Sequence, residues 1–295
     1  MNEEHLQQIC ISAHLPFSRE DAPATLLLES GELWSANNQS SVSRGSYGSV
    51  HKLFDKNAPN APMAVKVFHN RDSKFSAAGI ELLMATVAKA TSSMVAVPRG
   101  AGVVKRGADV VPYIAYEFIK GSRLCDVVLA INTGSDSSQS IPRWNLSCAV
   151  VCALIGNFQS LSNVIHSDLK ADNVMVSSFG GRADPCYSIH AIDFGLAGIR
   201  DAPMDPRRLT GTGKWWLPFP LTKTFSRDMD TFSVTLMLAQ ILNPQWSKVF
   251  AKGRKFSLNC VTEACAGIAQ EQTRKVLESC LRHPDSRKLV EHFVA

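Results

Sequence analysis

The segment His166-Ser167-Asp168-Leu169-Lys170-Ala171-Asp172-Asn173 is followed, twenty residues after Asn173, by Asp193-Phe194-Gly195. Together these supply two carboxylates and a carboxamide, a donor set suited to a metal-bound nucleotide. Phosphoryl transfer asks little covalent help of a protein; it needs the attacking hydroxyl held in line and the phosphate charge neutralised. Asp168 would orient the hydroxyl and accept its proton, while Asn173 and Asp193 would hold metal. Each piece alone has a bland explanation, because Asp-Phe-Gly is often a turn and His-x-Asp can be a hydrogen-bonded loop. Their order and spacing favour a site, with the apolar Val174-Met175-Val176 after Asn173 and Ile189 to Ile192 leading into Asp193.

Other elements must position these groups. From Val42 to Phe68 β-branched and apolar residues are broken by Gly45, Gly48 and the turn-forming run Asp55-Lys56-Asn57-Ala58-Pro59-Asn60, which predicts strands joined by hairpins. Residues 76–90, rich in Ala, Leu and Met, read as a helix, and a second strand-like stretch ends at Val111 to Tyr116. Alternation stops at Glu117-Phe118-Ile119-Lys120-Gly121-Ser122, where the boundary between two lobes is placed. The tract 132–140 is polar enough for an exposed loop, and helical periodicity dominates in 143–163, 228–242 and 262–282. A strand-rich first third followed by a helical remainder is the α+β pattern. Residues 1–37 carry no motif that suggests chemistry and read as an N-terminal extension or small cap.

The pattern His-x-Asp-Leu-Lys-x-x-Asn followed by Asp-Phe-Gly resembles that of the protein-kinase family from about residue 40 to residue 290. The resemblance implies a two-lobed kinase fold, with a small antiparallel-sheet N-lobe over 38–119 and a larger helical C-lobe over 120–295. It also implies ATP, Mg²⁺ and a protein substrate. Ser43-Arg44-Gly45-Ser46-Tyr47-Gly48-Ser49-Val50 is similar to the family's glycine-rich loop, with Ser43 in place of the first glycine. Met63-Ala64-Val65-Lys66 stands where the family carries its phosphate-pairing lysine. The resemblance implies that this lysine pairs with a glutamate on the following helix, and Glu81, in the predicted helix, is the only glutamate between Lys66 and Glu117. By resemblance, Glu117 and Ile119 would offer backbone groups to adenine, Tyr116 would guard the back of the pocket, and Val50, Ala64 and Met175 would sandwich the ring. Lys170, two residues after Asp168, and Thr212 in Gly211-Thr212-Gly213-Lys214-Trp215-Trp216 favour serine/threonine acceptors. Asp230 resembles a buried helix aspartate that braces the catalytic loop, a structural role.

Two departures from the family pattern stand out. Leu217-Pro218-Phe219 occupies the place of Ala-Pro-Glu, so Arg287 in the closing segment lacks its usual glutamate and must find another partner or face solvent. Because an unpaired buried guanidinium is costly, Asp228 or Glu263 is expected to substitute. Ser167 replaces an arginine that meets an activation-loop phosphate in many kinases, which predicts activity that does not require a phosphate at Thr210. With the compact C-terminal part, these departures are similar to those of divergent virus-encoded kinases such as those of herpesviruses.

Two rival classes have less support. A pseudokinase scaffold has no packing need for Lys66, Glu81, Asp168, Asn173 and Asp193 together, and a small-molecule kinase would lack the Gly-Thr-x-x-Trp segment, Asp230 and Arg287. Bulk properties agree with an enzyme. Of 295 residues 45% are hydrophobic and the formal charge is +5, with Lys and Arg scattered rather than gathered into a run, which argues against nucleic-acid binding. The eight cysteines form no CxxC pair or zinc-spaced cluster and read as buried, reduced thiols. The N-terminus lacks the features of a signal peptide, and the apolar regions 146–158 and 232–242 are too short to cross a bilayer. A soluble, intracellular protein of cytoplasm or nucleus is expected.

Overall fold

The computed structural model of the chain describes residues 2–19, 26–28, 31–32, 34, 43–44, 48–68, 74–133, 142–179, 186–204, 224–246 and 260–294. Two compact units divide it: Met1–Lys89 with Ala96–Lys120, and Ala90–Val95 with Gly121–Ala295.

The first unit is built on a sheet ordered β1 (Phe17–Ser18), β6 (Pro98–Arg106), β7 (Asp109–Glu117), β5 (Ala58–Phe68), β4 (Gly48–Asp55) and β2 (Leu26–Leu27), with β3 (Ser43–Arg44) also paired to β4. Successive strand residues point to opposite faces, so period-two patterning sorts side chains into two apolar clusters. Val65, Val67, Val111, Tyr113 and Ala115 join Trp34 and Leu53 on one face. Phe68, Ala101 and Ile114 join Ala78 and Leu82 of helix α2 (Lys74–Thr91) on the other. Burying a large apolar side chain contributes about 1.5–3 kcal/mol.

The β4–β5 hairpin turns at Lys56-Asn57 alone, where the Asp55 carboxylate accepts the Asn57 N–H at 2.8 Å. Ala58 to Asn60, expected in the turn, already lie in β5, and the extra length is absorbed by a register shift between Phe54 and Asp55. Helix α2 starts two residues earlier than periodicity suggests and ends one later. The expected antiparallel sheet needs one correction, because β1 joins β6 in parallel. Residues 1–37 contribute directly to this unit through α1 (Glu3–Ser12), β1, β2 and the buried Trp34.

The second unit is mainly helical. Helix α3 (Leu124–Thr133) takes in the start of the expected polar loop, whose residues 134–140 lie outside the described ones. Helix α4 (Arg143–Val151) continues as π-helical turns over Cys152–Gln159. Helix α5 (Arg227–Leu242) is buried almost all round from Met229 to Ala239, which makes it the core of this unit. The 262–282 pattern proves to be two helices, α6 (Val261–Cys265) and α7 (Glu271–Arg282). At the break the Asn243 amide donates to the Ala264 carbonyl at 2.8 Å, and Gly267 leaves room for that side chain, since a Cβ there would lie 1.9 Å from Asn243 Oδ1. Helix α8 (Ser286–Phe293) is capped by Asp285, which accepts the N–H groups of Arg287 and Lys288. Two small sheets complete the unit, β8 (Ser122–Arg123) with β10 (Val174–Phe179) and β11 (Cys186–Ala191), and β9 (Val164–Ile165) with β12 (Gly198–Ile199).

The eight cysteines are free thiols. Cys10, Cys260, Cys265 and Cys280 are buried, but Cys152 and Cys186 are exposed, which corrects the expectation of uniform burial. Desolvation pushes the Cys10 thiol up to about 11.

Candidate active site

In the first unit, strand pairing sets Lys66 opposite Ile114 on β7 and opposite Val50 on β4. Period two then points Lys66 and Phe68 toward α2. The Lys66 ammonium meets Glu81 Oε2 at 2.7 Å, with Lys66 9% and Glu81 1% exposed. Glu81 Oε1 accepts the Tyr116 hydroxyl at 3.1 Å, so both carboxylate oxygens are engaged. Sequence reasoning gave Tyr116 only a pocket-guarding place. The signal for its second role is register: Tyr116 pairs with Ala64, and Lys66 pairs with Ile114, two residues from Tyr116 along β7 on the same face. The Phe68 ring lies 5.4 Å below the Lys66 amine.

The other nucleotide candidates of this unit are less concentrated. Val50, Ala64 and Ile119 are half-buried. Glu117 is exposed and paired with Arg99 at 2.8 Å. Its N–H is engaged by the Val97 carbonyl, so a base would have to use the Glu117 carbonyl. Ser43 pairs with Val50, while Gly45 lies outside the described residues. Gly48 has a reason of its own to be glycine, since a Cβ there would lie 2.4 Å from the Val67 carbonyl oxygen.

In the second unit the loop after β9 is held from below by Asp230 of α5. That buried carboxylate accepts the N–H of His166 at 2.8 Å and of Ser167 at 2.9 Å. Desolvation raises the Asp230 pKa, an effect opposed by nearby His166 and by the two backbone N–H groups. His166 Nε2 sits 3.0 Å from the Ile192 carbonyl, and its ring packs on Phe194 with centroids 4.7 Å apart. Ser167 takes a left-handed φ of 58°, and its hydroxyl donates to the Leu196 carbonyl at 2.6 Å. The residue that replaces the expected arginine therefore ties the loop directly to the stretch after Asp193-Phe194-Gly195.

Asp168 is 5% exposed, with Lys170 Nζ 2.9 Å from its Oδ2. The Asn173 amide nitrogen donates to the Asp168 carbonyl at 2.9 Å and to Oδ2 at 3.0 Å. That commitment leaves Asn173 Oδ1 as the atom available to a cation. Asn173 leads into β10 and Asp193 follows β11; Val174 pairs with Ala191, and the Ile192 N–H donates to the Asn173 carbonyl at 3.0 Å. One hairpin thus brings the two expected metal ligands to adjacent strand ends, with Asp193 at a left-handed φ of 66°. Among the described residues no cluster of three or more His, Cys, Asp or Glu is arranged as a metal site. A carboxylate and a carboxamide oxygen nonetheless fit Mg²⁺, which keeps waters and phosphate oxygens among its six ligands. Met175, half-buried on β10, belongs to this same hairpin.

Two further expectations concern the rest of the sequence. Thr210 to Phe219, including both tryptophans, lie outside the described residues. Arg287 has not recruited Asp228 or Glu263: it is exposed, and among the described residues its side chain has no ion-pair partner. Exposure to water removes the desolvation cost that would have demanded one.

The comparisons with known proteins agree with this geometry. A family model of the protein kinase domain matches residues 36–290. The chain is 27% identical over 141 residues to the calcium/calmodulin-dependent serine/threonine-protein kinase 1 of Oryza sativa subsp. japonica, covering 46% of this chain and 22% of that protein. It is 23% identical over 192 residues to calcium-dependent protein kinase 21 of Arabidopsis thaliana, covering 61% and 34% respectively. With the serine/threonine-protein kinase pakA of Talaromyces marneffei it shares 29% identity over 135 residues, covering 44% and 18%. The chain thus spans about a third or less of the length of these curated relatives. They come from plants and a fungus and lend nothing to the likeness with herpesvirus kinases. With the family model matched over most of its length, an α+β fold, and the Asp168, Asn173 and Asp193 motifs in place, the chain belongs to the protein kinase family.

Proposed function

We propose that this chain is an active serine/threonine protein kinase that transfers the γ-phosphoryl group of ATP to a hydroxyl on a protein. The observation that carries the reading is the Asp168 cluster, in which one nearly buried carboxylate is held by both Lys170 and Asn173. A carboxylate fixed in this way can accept the hydroxyl proton as the oxygen attacks phosphorus. Lys170 would place a positive charge between that carboxylate and the incoming phosphoryl oxygens. Asn173 Oδ1 and Asp193 would hold Mg²⁺, which when bound screens the phosphate charge. Lys66, held by Glu81, would pair with the phosphates nearer the sugar. Glu117 and Ile119 would meet adenine through backbone groups, with Val50, Ala64 and Met175 against the ring and Ser43, Gly45 and Gly48 over the phosphates. Named serine/threonine kinases among the relatives, with Lys170 two residues after Asp168, support that acceptor class.

The Ser167 to Leu196 hydrogen bond supports turnover without a loop phosphate, because that loop contact needs no added charge. No helix among the described residues is long and apolar enough to cross a membrane. The test is transfer of labelled phosphate from Mg-ATP to mixed protein substrates, comparing the wild type with Asp168→Asn and Lys66→Met and analysing the phosphoamino acids formed. Phosphoserine or phosphothreonine made by the wild type alone is the expected result. Mg-ATP binding without any transfer would sink the reading in favour of a nucleotide-binding scaffold.

A further inference from the structure

Residues 2–18 are bound into the unit that carries the Lys66–Glu81 pair by features that an added tail would not need. Helix α1 ends in a reversal at His14, whose φ is 54°. There the Leu15 N–H reaches back to the Cys10 carbonyl and the His14 N–H to the Ile11 carbonyl. The reversal lays Phe17-Ser18 parallel to β6, with the Ala101 N–H donating to the Pro16 carbonyl at 3.1 Å. Strand β6 has glycine at both points of close approach. A Cβ at Gly100 would lie 3.0 Å from Pro16, and one at Gly102 would lie 2.4 Å from the Ser18 carbonyl oxygen. On the outside, Arg19 meets Glu3 at 3.1 Å and Gln7 at 2.6 Å.

What this segment inserts into the core is specific. Leu6 and Cys10, each 0% exposed, belong to one apolar cluster with Ala78 and Leu82 of α2 and with Phe68, Ala101 and Ile114 of the sheet. Ala78 precedes Glu81 by one helical turn and Leu82 follows it directly. Phe68 lies under the Lys66 amine, and Tyr116, which donates to Glu81, packs against the same cluster. The residues on either side of the ion pair therefore belong to the same apolar cluster as Leu6 and Cys10, although α1 itself packs chiefly on β6.

We propose that residues 2–18 are a built-in positioning element, in which Leu6 and Cys10 fix the depth of α2 so that Glu81 meets Lys66. Packed interiors do not deform continuously, so removing atoms from this cluster lets α2 shift and lengthens the pair. The proposal rests on the kinase reading for its effect on turnover, but its geometric core does not depend on that reading.

The experiment compares the full chain with Leu6→Ala, with the milder Cys10→Ala, and with Leu26→Ala. Leu26 lies in the other apolar cluster of the same unit and controls for general loss of packing. All are measured well below their melting temperatures. The first readout is the rate at which an amine-acylating reagent labels Lys66, followed by mass spectrometry. A lysine that loses its carboxylate partner loses proton affinity and reacts faster. Leu6→Ala is expected to raise that rate about tenfold and to lower kcat for phosphate transfer by a similar factor. Leu26→Ala should change neither by more than about twofold, and Cys10→Ala should lie between. In a Glu81→Gln background the Leu6→Ala effect on labelling should vanish, because the contact it supports is already gone. Equal labelling in Leu6→Ala and Leu26→Ala, or a Leu6→Ala effect that persists beside Glu81→Gln, would overturn the proposal. A wild type that transfers no phosphate but shows the expected labelling pattern would defeat the kinase reading alone.

Discussion

The two sets of chemistry-bearing residues are held in opposite ways. In the first unit Lys66 and Glu81 come from a strand and a helix, and their meeting depends on side-chain packing, with Tyr116 and Phe68 as close neighbours. In the second, Asp168 and Asn173 sit on one short loop whose backbone is fastened to a single buried carboxylate, Asp230, and to the ends of one hairpin. Backbone hydrogen bonds and local sequence fix the second set, so it tolerates little movement. A helix packed on apolar side chains can slide, so the first set is the adjustable one.

The largest effect that would test this contrast is on chemistry. Asp168→Asn should lower kcat about 10²–10⁴-fold, as for loss of a general base, with little change in melting temperature. A loss below tenfold would deny Asp168 that role. Next is the buried pair. Lys66→Met leaves Glu81 without its cation and should cost about 3–5 kcal/mol in urea unfolding, whereas the double variant Lys66→Met with Glu81→Leu should recover most of that stability while remaining inactive. If the double variant is as unstable as the single, packing rather than charge sets the cost.

Asp230→Asn follows, at about 1–3 kcal/mol, because an amide NH2 would face one of the two buried N–H donors, whereas a carboxyl in either protonation state keeps an oxygen there. Its pH dependence has a definite sign. With the folded-state pKa raised above the ordinary carboxylate value, the native state binds the proton more tightly than the unfolded chain. The stability that wild type draws from this group is therefore present at low pH and lost as pH rises through the raised pKa. The penalty of Asp230→Asn should shrink from pH 4 toward neutrality, and a penalty that grows instead would mean a depressed pKa. The smallest effect lies in the adjustable unit, where His14→Gly relieves a left-handed φ and should stabilise by about 1 kcal/mol. No gain in melting temperature would mean that the His14 backbone is not strained.

The sequence by itself determined the reading of the loop in the second unit, since Asp168 to Asn173 are neighbours in the chain and Asp193 returns by a single hairpin. It also determined the Lys66 partner, because Glu81 has no competing glutamate before Glu117. The first needs only short-range geometry; the second needs the family resemblance, which calls for a glutamate on the following helix, before elimination can single out Glu81. The hairpins and helix α5 were legible from periodicity for the same local reason. Only the tertiary structure decided the place of residues 1–37, whose two-residue strands are too short to show a period and whose fit depends on Gly100 and Gly102 some eighty residues away. It alone showed 262–282 to be two helices, with an Asn243 side chain at the break that no pattern within that segment could reveal. It alone gave Tyr116 its hydrogen bond to Glu81, tied Ser167 to Leu196, and left Arg287 in solvent. In each of these cases except Arg287 the deciding atom belongs to a residue distant in sequence, brought near only when the chain closes its core.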